Sequence, residues 1–337
     1  MKEARLWEAI GEGRVRCQLC AHRCVIPLGG RGVCLVRENR EGKLYSLVYG
    51  RIVSQALDPV EKKPLFHFLP GTSTLSVATV GCNFRCDFCQ NHEISQFPRE
   101  HGGRVVGEPV EPEEIVAAAQ ATGARSISYT YTEPTIFFEF CEDVGKLAVQ
   151  AGLKNIFVTN GYMTEEALRA AKGWLHAANV DLKSFSEDFY RRFCGASLQP
   201  VLETIGRLWE AGIWVEVTTL VIPGRNDSEQ ELRWIAEFLV GISPDIPWHV
   251  SRFVPAYKAW DVPSTPVSTL RRAREIGLAT GLRHVYMGNV PGEGEDTLCP
   301  GCGRTLVRRY GFFVLQNELT PDGVCPRCGT SLAGVWR

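Results

Sequence analysis

The sequence predicts an α/β fold: a partial (β/α)6 barrel with a small cysteine-rich module at each end. The central region alternates strand-like and helix-like stretches roughly every 30 residues, as βα units do. Four cysteines lie between residues 17 and 34, and four more lie between residues 299 and 328. We therefore divide the chain into an N-terminal four-cysteine module with a connecting segment (1–70), the barrel (71–292) and a C-terminal module (293–337).

Composition and charge limit the possible partners. The 337 residues are 45% hydrophobic and 22% charged, as in an ordinary globular protein. Lysine and arginine number 37 against 38 aspartate and glutamate, so the formal net charge is −1 and we expect no nucleic-acid partner. The chain contains neither a signal-peptide pattern nor an apolar run of the roughly 20 residues that a membrane span needs. We expect a cytoplasmic protein without membrane contact.

Six short segments rich in β-branched and aromatic residues are predicted strands of a parallel sheet. They are residues 75–80, 126–131, 155–159, 179–182, 214–221 and 248–253. Helices are predicted between them. Pro112 suits the first turn of one helix, and Ser228 begins another, where we expect a capping box with Glu231. Because barrel sites lie at the carboxyl ends of the strands, we expect chemistry directly after each strand.

Three cysteines follow the first predicted strand, in the segment Gly81–Cys89. Three thiolates on one loop can hold a [4Fe–4S] cluster and leave one iron open to a small chelating molecule. A zinc site is the alternative, but spacings of three and then two residues lack the usual pair of knuckles. We therefore assign Cys82, Cys86 and Cys89 as cluster ligands.

This loop resembles the signature of the radical S-adenosylmethionine (SAM) superfamily, C-x3-C-x2-C with an aromatic residue, here Phe88, before the last cysteine. The resemblance implies a TIM-like radical SAM barrel. It also implies that the amino and carboxylate groups of SAM bind the open iron. One electron from the cluster then cleaves the C–S bond and gives methionine and a 5′-deoxyadenosyl radical.

Polar residues at the other strand ends resemble SAM-binding segments of the same superfamily. The segment 131–134 resembles the motif whose glutamate, here Glu133, receives the SAM amino group, and Asp181-Leu182-Lys183 resembles the DLK segment of glycyl-radical-enzyme activases. Taken singly, each could be a helix cap or a solvated turn. The SAM-binding residues implied by the resemblance are Phe88, Thr132, Glu133, Asn160, Asp181, Lys183, Thr218 and Tyr257.

The last two strand ends differ in how closely they follow the activases. Thr218 begins a segment, 218–224, similar to one that passes near adenine in those enzymes. Tyr257 stands where activases have a SAM-contacting histidine. His249 and Arg252 are compatible both with substrate contact and with a structural role.

Three further segments, 48–51, 58–71 and 288–292, resemble one particular family within this superfamily. Together with the terminal cysteines they resemble the radical SAM component of the AmmeMemoRadiSam system, a family related to pyruvate formate-lyase-activating enzymes. The resemblance extends from about Cys17 to Trp336. It implies companion proteins of the Memo and Amme types, and we expect an electron donor such as flavodoxin or ferredoxin.

The terminal cysteine groups predict metal sites. Cys299, Cys302, Cys325 and Cys328 form two knuckles typical of a zinc ribbon, with rubredoxin-type iron as the alternative. Cys17, Cys20, Cys24 and Cys34 suit zinc or an auxiliary [4Fe–4S] cluster, and we favour zinc. We expect the remaining two cysteines, Cys141 and Cys194, to be buried apolar side chains.

The leading hypothesis is a radical SAM enzyme acting on an unidentified substrate. Two alternatives stay open: an activase that installs a glycyl radical on a partner protein, and a non-catalytic zinc or iron–sulfur adaptor. The coincidence of the three-cysteine loop with polar strand ends argues against an adaptor. Simple electron transfer would not need an open iron.

Overall fold

The computed structural model describes the whole chain, Met1–Arg337. Short antiparallel strands form its N-terminal part: β1 (Lys2–Glu3), β2 (Trp7–Ala9), β3 (Val15–Cys17), β4 (Val25–Ile26), β5 (Arg37–Arg40), β6 (Lys43–Ser46) and β7 (Arg51–Ile52). The order β1-β6-β5 makes one three-stranded sheet and β2-β3-β4 makes another. Strands this short have little core of their own, so the module depends on contacts with the rest of the chain.

A mixed sheet of eight strands forms the centre of the protein. Its strands are β8 (Ser54–Pro59), β9 (Ser73–Ala78), β11 (Ser126–Tyr129), β12 (Lys154–Thr159), β13 (Ala177–Asp181), β14 (Trp214–Val221), β15 (Trp248–Arg252) and β16 (Val285–Gly288), and β10 (Glu108–Pro109) pairs with β7 outside it. The order across the sheet is β16-β15-β14-β13-β12-β11-β9-β8. All neighbours are parallel except β8, which runs antiparallel to β9.

The six predicted strands are confirmed to within two residues at each end. The sequence did not predict β8 or β16. β8 alternates between exposed and half-buried positions before it reaches Asp58, because it is an antiparallel edge strand. It lies within the segment that the predicted domain division assigns to the N-terminal module, yet it pairs with the central sheet.

Helices connect the parallel strands, as expected for βα units. They are α1 (His92–Ser95), α2 (Phe97–Glu100), α3 (Pro112–Ala121), α4 (Phe138–Gln150), α5 (Glu165–Ala171), α6 (Glu187–Phe189), α7 (Gln199–Glu210), α8 (Glu229–Ile242) and α9 (Val267–Thr280). Pro112 is the first residue of α3, as predicted, and a capping box between Glu111 and Glu114 supports the helix start.

The predicted capping box at α8 is only half correct. The Ser228 hydroxyl accepts the Glu231 backbone N–H at 3.2 Å, as predicted. The Glu231 carboxylate does not return to Ser228; it accepts the Ser184 hydroxyl and the Phe185 N–H instead. Glu231 is therefore a tertiary contact that holds the segment after β13 against α8.

A buried ion pair fastens the N-terminal module to the central sheet. The Arg37 guanidinium donates to both carboxylate oxygens of Glu139 on α4, at 2.7 and 2.9 Å. Both side chains are at most 2% exposed. Breaking such a pair typically costs about 3–5 kcal/mol, because the remaining charge is left buried without a partner.

The C-terminal part is a three-stranded antiparallel sheet of β17 (Thr297–Leu298), β18 (Thr305–Tyr310) and β19 (Phe313–Asn317). Arg309 on β18 is buried, donates to the Phe66 carbonyl at 2.8 Å and lies over the Phe66 ring at 4.3 Å. The ring of His67 packs on Trp336 at 5.0 Å. The segment 58–71 thus joins the C-terminal module to the central sheet.

The helices were also compared with the length and apolarity that a membrane span requires. None of them meets both requirements.

Candidate functional site

A cavity of about 390 Å³ lies where the parallel strands of the central sheet end. It brings together ten of the eleven residues predicted to bind the cluster or SAM. They are Cys82, Cys86, Phe88, Cys89, Thr132, Glu133, Asn160, Asp181, Lys183 and Thr218. These residues lie in or directly after five different strands, at the edge of the sheet where the sequence predicted the site.

The three-cysteine loop begins at a position that requires glycine. Gly81 has φ of +101°, and a Cβ there would lie 2.8 Å from Val36 Cγ1. Backbone and side-chain donors already face the thiols: Phe84 N–H lies 3.4 Å from Cys82 Sγ, and the Ser95 hydroxyl lies 3.2 Å from Cys89 Sγ. Such donors stabilise thiolate ligands.

The spacing of these thiols fits a cluster better than a single ion. The three Sγ atoms do not gather within 4.8 Å of one another. Four thiolates around one zinc ion, at about 2.3 Å each, would stand about 3.8 Å apart. The donor set of Cys82, Cys86 and Cys89 therefore fits the three protein ligands of a [4Fe–4S] cluster with one open iron.

Glu133 is more tightly held by the protein than the sequence suggested. Its Oε1 accepts the Thr135 N–H at 3.1 Å, the Thr135 hydroxyl at 2.5 Å and the Thr159 hydroxyl at 2.7 Å. Its Oε2 accepts the Asn160 N–H at 2.8 Å and keeps one free acceptor position. Burial raises the pKa of Glu133, and these donors oppose that effect. The carboxylate thus joins the ends of β11 and β12 and offers one oxygen to the cavity.

Asp181 and Lys183 form an ion pair on the cavity wall, with Nζ and Oδ2 2.9 Å apart. Burial by itself would lower the pKa of Lys183, but the Asp181 carboxylate raises it well above its usual value. Lys183 is therefore protonated at neutral pH. A cation and an anion held side by side suit a zwitterionic ligand such as an amino acid.

The remaining polar groups are oriented by internal hydrogen bonds. The Thr218 hydroxyl donates to Asn179 Oδ1, and the Thr132 hydroxyl donates to the Thr79 carbonyl, both at 2.9 Å. Because their protons are used inside the protein, both hydroxyls face a ligand as acceptors only. This arrangement favours ligand donors such as hydroxyl or amino groups.

Tyr257 does not line the cavity. It has φ of +54°, and its ring stacks on His92 with centroids 4.7 Å apart. The neighbouring Lys258 N–H donates to the Asp87 carbonyl at 2.9 Å, so this segment supports the cysteine loop from outside. A role for Tyr257 in binding SAM remains a prediction.

The two ambiguous residues of the sixth strand have structural contacts. His249 is 2% exposed and its Nε2 lies 2.7 Å from Glu216 Oε2. Arg252 donates to the Thr265 carbonyl at 3.0 Å. Neither side chain lines the cavity.

A charged group that the sequence did not point to also borders the cavity. The Asp58 carboxylate accepts from Lys62 at 2.8 Å and Lys63 at 2.7 Å, and it also accepts from Tyr131 and Ser76. Both lysines and Tyr131 line the cavity. Burial lowers the pKa of Lys63 to about 8, although Asp58 opposes the shift. The resemblance of segment 58–71 to one family was the only signal for this group.

Phe312 was also missed, because nothing in the local sequence links it to the site. It occupies the turn between β18 and β19 and lines the cavity, with 41% of its surface exposed. The C-terminal hairpin therefore reaches the edge of the candidate site.

The C-terminal cysteines form a compact group that could hold a metal ion. Cys299 and Cys328 Sγ lie 3.5 Å apart, Cys302 and Cys325 Sγ lie 3.8 Å apart, and all four gather within 4.8 Å. This spacing is that of four thiolates around one tetrahedral ion.

Comparison with known proteins agrees with this geometry. The family model of the radical SAM superfamily matches residues 76–238. The uncharacterized protein MJ0808 of Methanocaldococcus jannaschii is 47% identical over 335 residues, covering 98% of this chain and 99% of that protein.

More distant relatives share only part of the chain. The GTP 3′,8-cyclase of Aquifex aeolicus is 30% identical over 154 residues, covering 44% of this chain and 47% of the cyclase. A radical SAM methyltransferase from Sphaerobacter thermophilus has a similar fold, with a TM-score of 0.51 and 19% identity over 66% of this chain and 68% of that one. The family match therefore shows that residues 76–238 form a radical SAM domain.

Proposed function

We propose that this protein reductively cleaves SAM at a [4Fe–4S] cluster bound by Cys82, Cys86 and Cys89. When bound, the reduced cluster supplies the electron that converts SAM to methionine and a 5′-deoxyadenosyl radical, which abstracts hydrogen from a substrate. The observation that supports this proposal is the convergence of the three thiols and the Asp181–Lys183 pair on one cavity.

The residues that line the cavity have different roles. The thiols hold three irons and leave one for SAM. The Asp181–Lys183 pair and the free oxygen of Glu133 present opposite charges to a zwitterion. Phe88 is 3% exposed and packs on Phe189 with ring centroids 5.7 Å apart, which keeps water from the base of the cysteine loop.

We also propose that the protein is the radical SAM component of an AmmeMemoRadiSam system, with Memo-type and Amme-type companions. Two segments that resemble this family border the cavity: 58–71 through Lys62, Lys63 and Pro64, and 288–292 through Asn289. We assign zinc to the C-terminal cysteines, whose spacing suits it, and expect the central sheet to form the partial barrel typical of the superfamily.

An activase acting on a partner protein is the second candidate. The C-terminal hairpin that reaches the cavity exposes three large apolar side chains: Tyr310 is 59% exposed, Phe313 67% and Leu315 63%. Exposed aromatic groups beside a site favour a macromolecular partner. A peptide radical on a co-purified protein would distinguish this role from action on a small molecule.

The test uses anaerobically purified, reconstituted protein that is reduced with dithionite and mixed with SAM. We expect formation of 5′-deoxyadenosine and methionine, and loss of both in Cys82→Ala. Cys141→Ala is the matched control, because Cys141 is buried in α4 outside the cavity and should leave cleavage intact. Cleavage that persisted in Cys82→Ala would overturn the proposal.

A further inference from the structure

The four N-terminal cysteines line a second cavity. Cys17, Cys20, Cys24 and Cys34 share this cavity with Arg37 and with a few neighbouring side chains, among them His22, Asn83 and Thr135. The Val33 N–H lies 3.4 Å from Cys24 Sγ, a contact that suits a thiolate ligand. The cysteines are thus assembled around one enclosed space.

Their spacing differs from that of the C-terminal quartet. The C-terminal sulfurs approach to 3.5 and 3.8 Å and gather within 4.8 Å of one another. The N-terminal sulfurs form no such group, and in this they match the loop of Cys82, Cys86 and Cys89. Because a cubane holds its thiolates on four separate irons, its ligands stand farther apart than those of one zinc ion. Only the C-terminal quartet is thus gathered as four thiolates around a single ion would be.

Two buried donors on residues that line the second cavity have no acceptor in the protein. Asn83 Nδ2 and Arg37 Nε are both without a hydrogen-bond partner, although the two residues are only 1% and 2% exposed. Buried donors without partners are costly and point to an acceptor that the polypeptide does not supply. A lone zinc ion adds no acceptor to the four thiolates. The bridging sulfides of an iron–sulfur cluster are acceptors, and hydrogen bonds to cluster sulfur are a usual feature of such sites.

We propose that Cys17, Cys20, Cys24 and Cys34 bind a second [4Fe–4S] cluster, and not the zinc that the sequence favoured. All four irons then have protein ligands, so this cluster binds no SAM.

The second cluster lies next to the SAM site. Asn83 lines the second cavity and directly follows Cys82, and its Oδ1 accepts the Asn160 side-chain amide at 2.7 Å. His22, between Cys20 and Cys24, has its Nε2 2.8 Å from the Asn83 carbonyl. Asn83 thus lies between the two cysteine groups. We propose that the second cluster receives the electron from the external donor and passes it to the SAM-binding cluster. This role, unlike the cluster itself, depends on the proposed SAM cleavage.

Electron transfer from the donor to the SAM-binding cluster takes place in two one-electron steps. A low-potential donor of the flavodoxin or ferredoxin type is oxidised by one electron and reduces the second cluster. That cluster then passes the electron to the SAM-binding cluster and returns to its oxidised state. No bond in the protein forms or breaks, and no proton is required.

The decisive experiment removes the first cluster and counts what remains. Cys82, Cys86 and Cys89 are all replaced by alanine, the protein is reconstituted anaerobically, and iron, sulfide and zinc are measured per chain. We expect about eight irons and eight sulfides in the unaltered protein and about four of each in the variant. After dithionite reduction, the variant should show a cluster EPR signal that SAM does not change. Zinc without iron, or iron without sulfide, would overturn the proposal.

A second variant tests whether the N-terminal cysteines bind a cluster if the triple variant does not fold. Cys24→Ser combined with Cys34→Ser should lose about half of the iron and sulfide, whereas unchanged iron would contradict the assignment. In the same variant, the ratio of flavodoxin-driven to dithionite-driven 5′-deoxyadenosine formation should fall at least about tenfold. An unchanged ratio would refute electron entry and leave the cluster itself supported by the metal counts.

Discussion

Replacing Glu133 by glutamine tests whether this carboxylate serves mainly as an internal clamp. The amide oxygen of glutamine can keep the three donors that now reach Oε1, from Thr135 and Thr159. The amide nitrogen would then face the Asn160 N–H, which donates to Oε2 at 2.8 Å. That N–H would lose its acceptor, and a second donor would point at it.

The expected loss of stability can be estimated from the hydrogen bond between the Asn160 N–H and Glu133 Oε2. A hydrogen bond to a charged group contributes about 1.5–3 kcal/mol, and an unsatisfied buried N–H costs about 1–3 kcal/mol. Burial already disfavours the charged form of Glu133, since it raises the pKa, so a neutral side chain recovers part of the loss. We therefore expect a net destabilisation of about 1–3 kcal/mol, which for a chain of this size lowers Tm by roughly 1–4 °C.

The assay is anaerobic thermal unfolding of the metal-loaded protein, with SAM affinity measured on the same sample. Glu203→Gln is the matched control, because Glu203 is 42% exposed and contacts only Arg207 and Gln199 on the surface of α7, so its change should stay within about 0.5 kcal/mol. A Glu133→Gln protein with unaltered Tm and lost SAM binding would refute the clamp and make Glu133 a direct SAM ligand.

Two further predictions concern pH and the cavity edge. Burial lowers the pKa of His284 to about 4, below its usual 6.5. The folded protein therefore resists protonation of His284, and the free energy of unfolding should fall by about 3 kcal/mol as the pH decreases from 6.5 to 4. His284→Phe should flatten the dependence of Tm on pH in this window, and an unchanged slope would contradict the assignment. Phe312→Ala should make the cluster absorbance bleach several-fold faster in air than Phe313→Ala, because only Phe312 lines the cavity; equal rates would show that Phe312 does not shield it.

Local sequence was sufficient for six of the seven parallel strands, because these are short, mostly buried runs and the βα alternation repeats. It was insufficient for Glu231. The pattern of Ser228 and Glu231 is that of a capping box, but Ser184 and Phe185 approach from another part of the chain and take the carboxylate. Local capping and tertiary contact compete for the same oxygens, and burial favours the tertiary partners.

The sequence by itself predicted the superfamily, six of the central strands and the loop of Cys82, Cys86 and Cys89, because these are properties of adjacent residues. Only the tertiary structure decided which polar groups remain free for a ligand, as with the single open oxygen of Glu133. It also distinguished the two cysteine quartets, which look alike as spacings but hold their sulfurs at different separations. Distances between sulfur atoms depend on how separate segments pack, and the spacing of cysteines along the chain does not determine that packing.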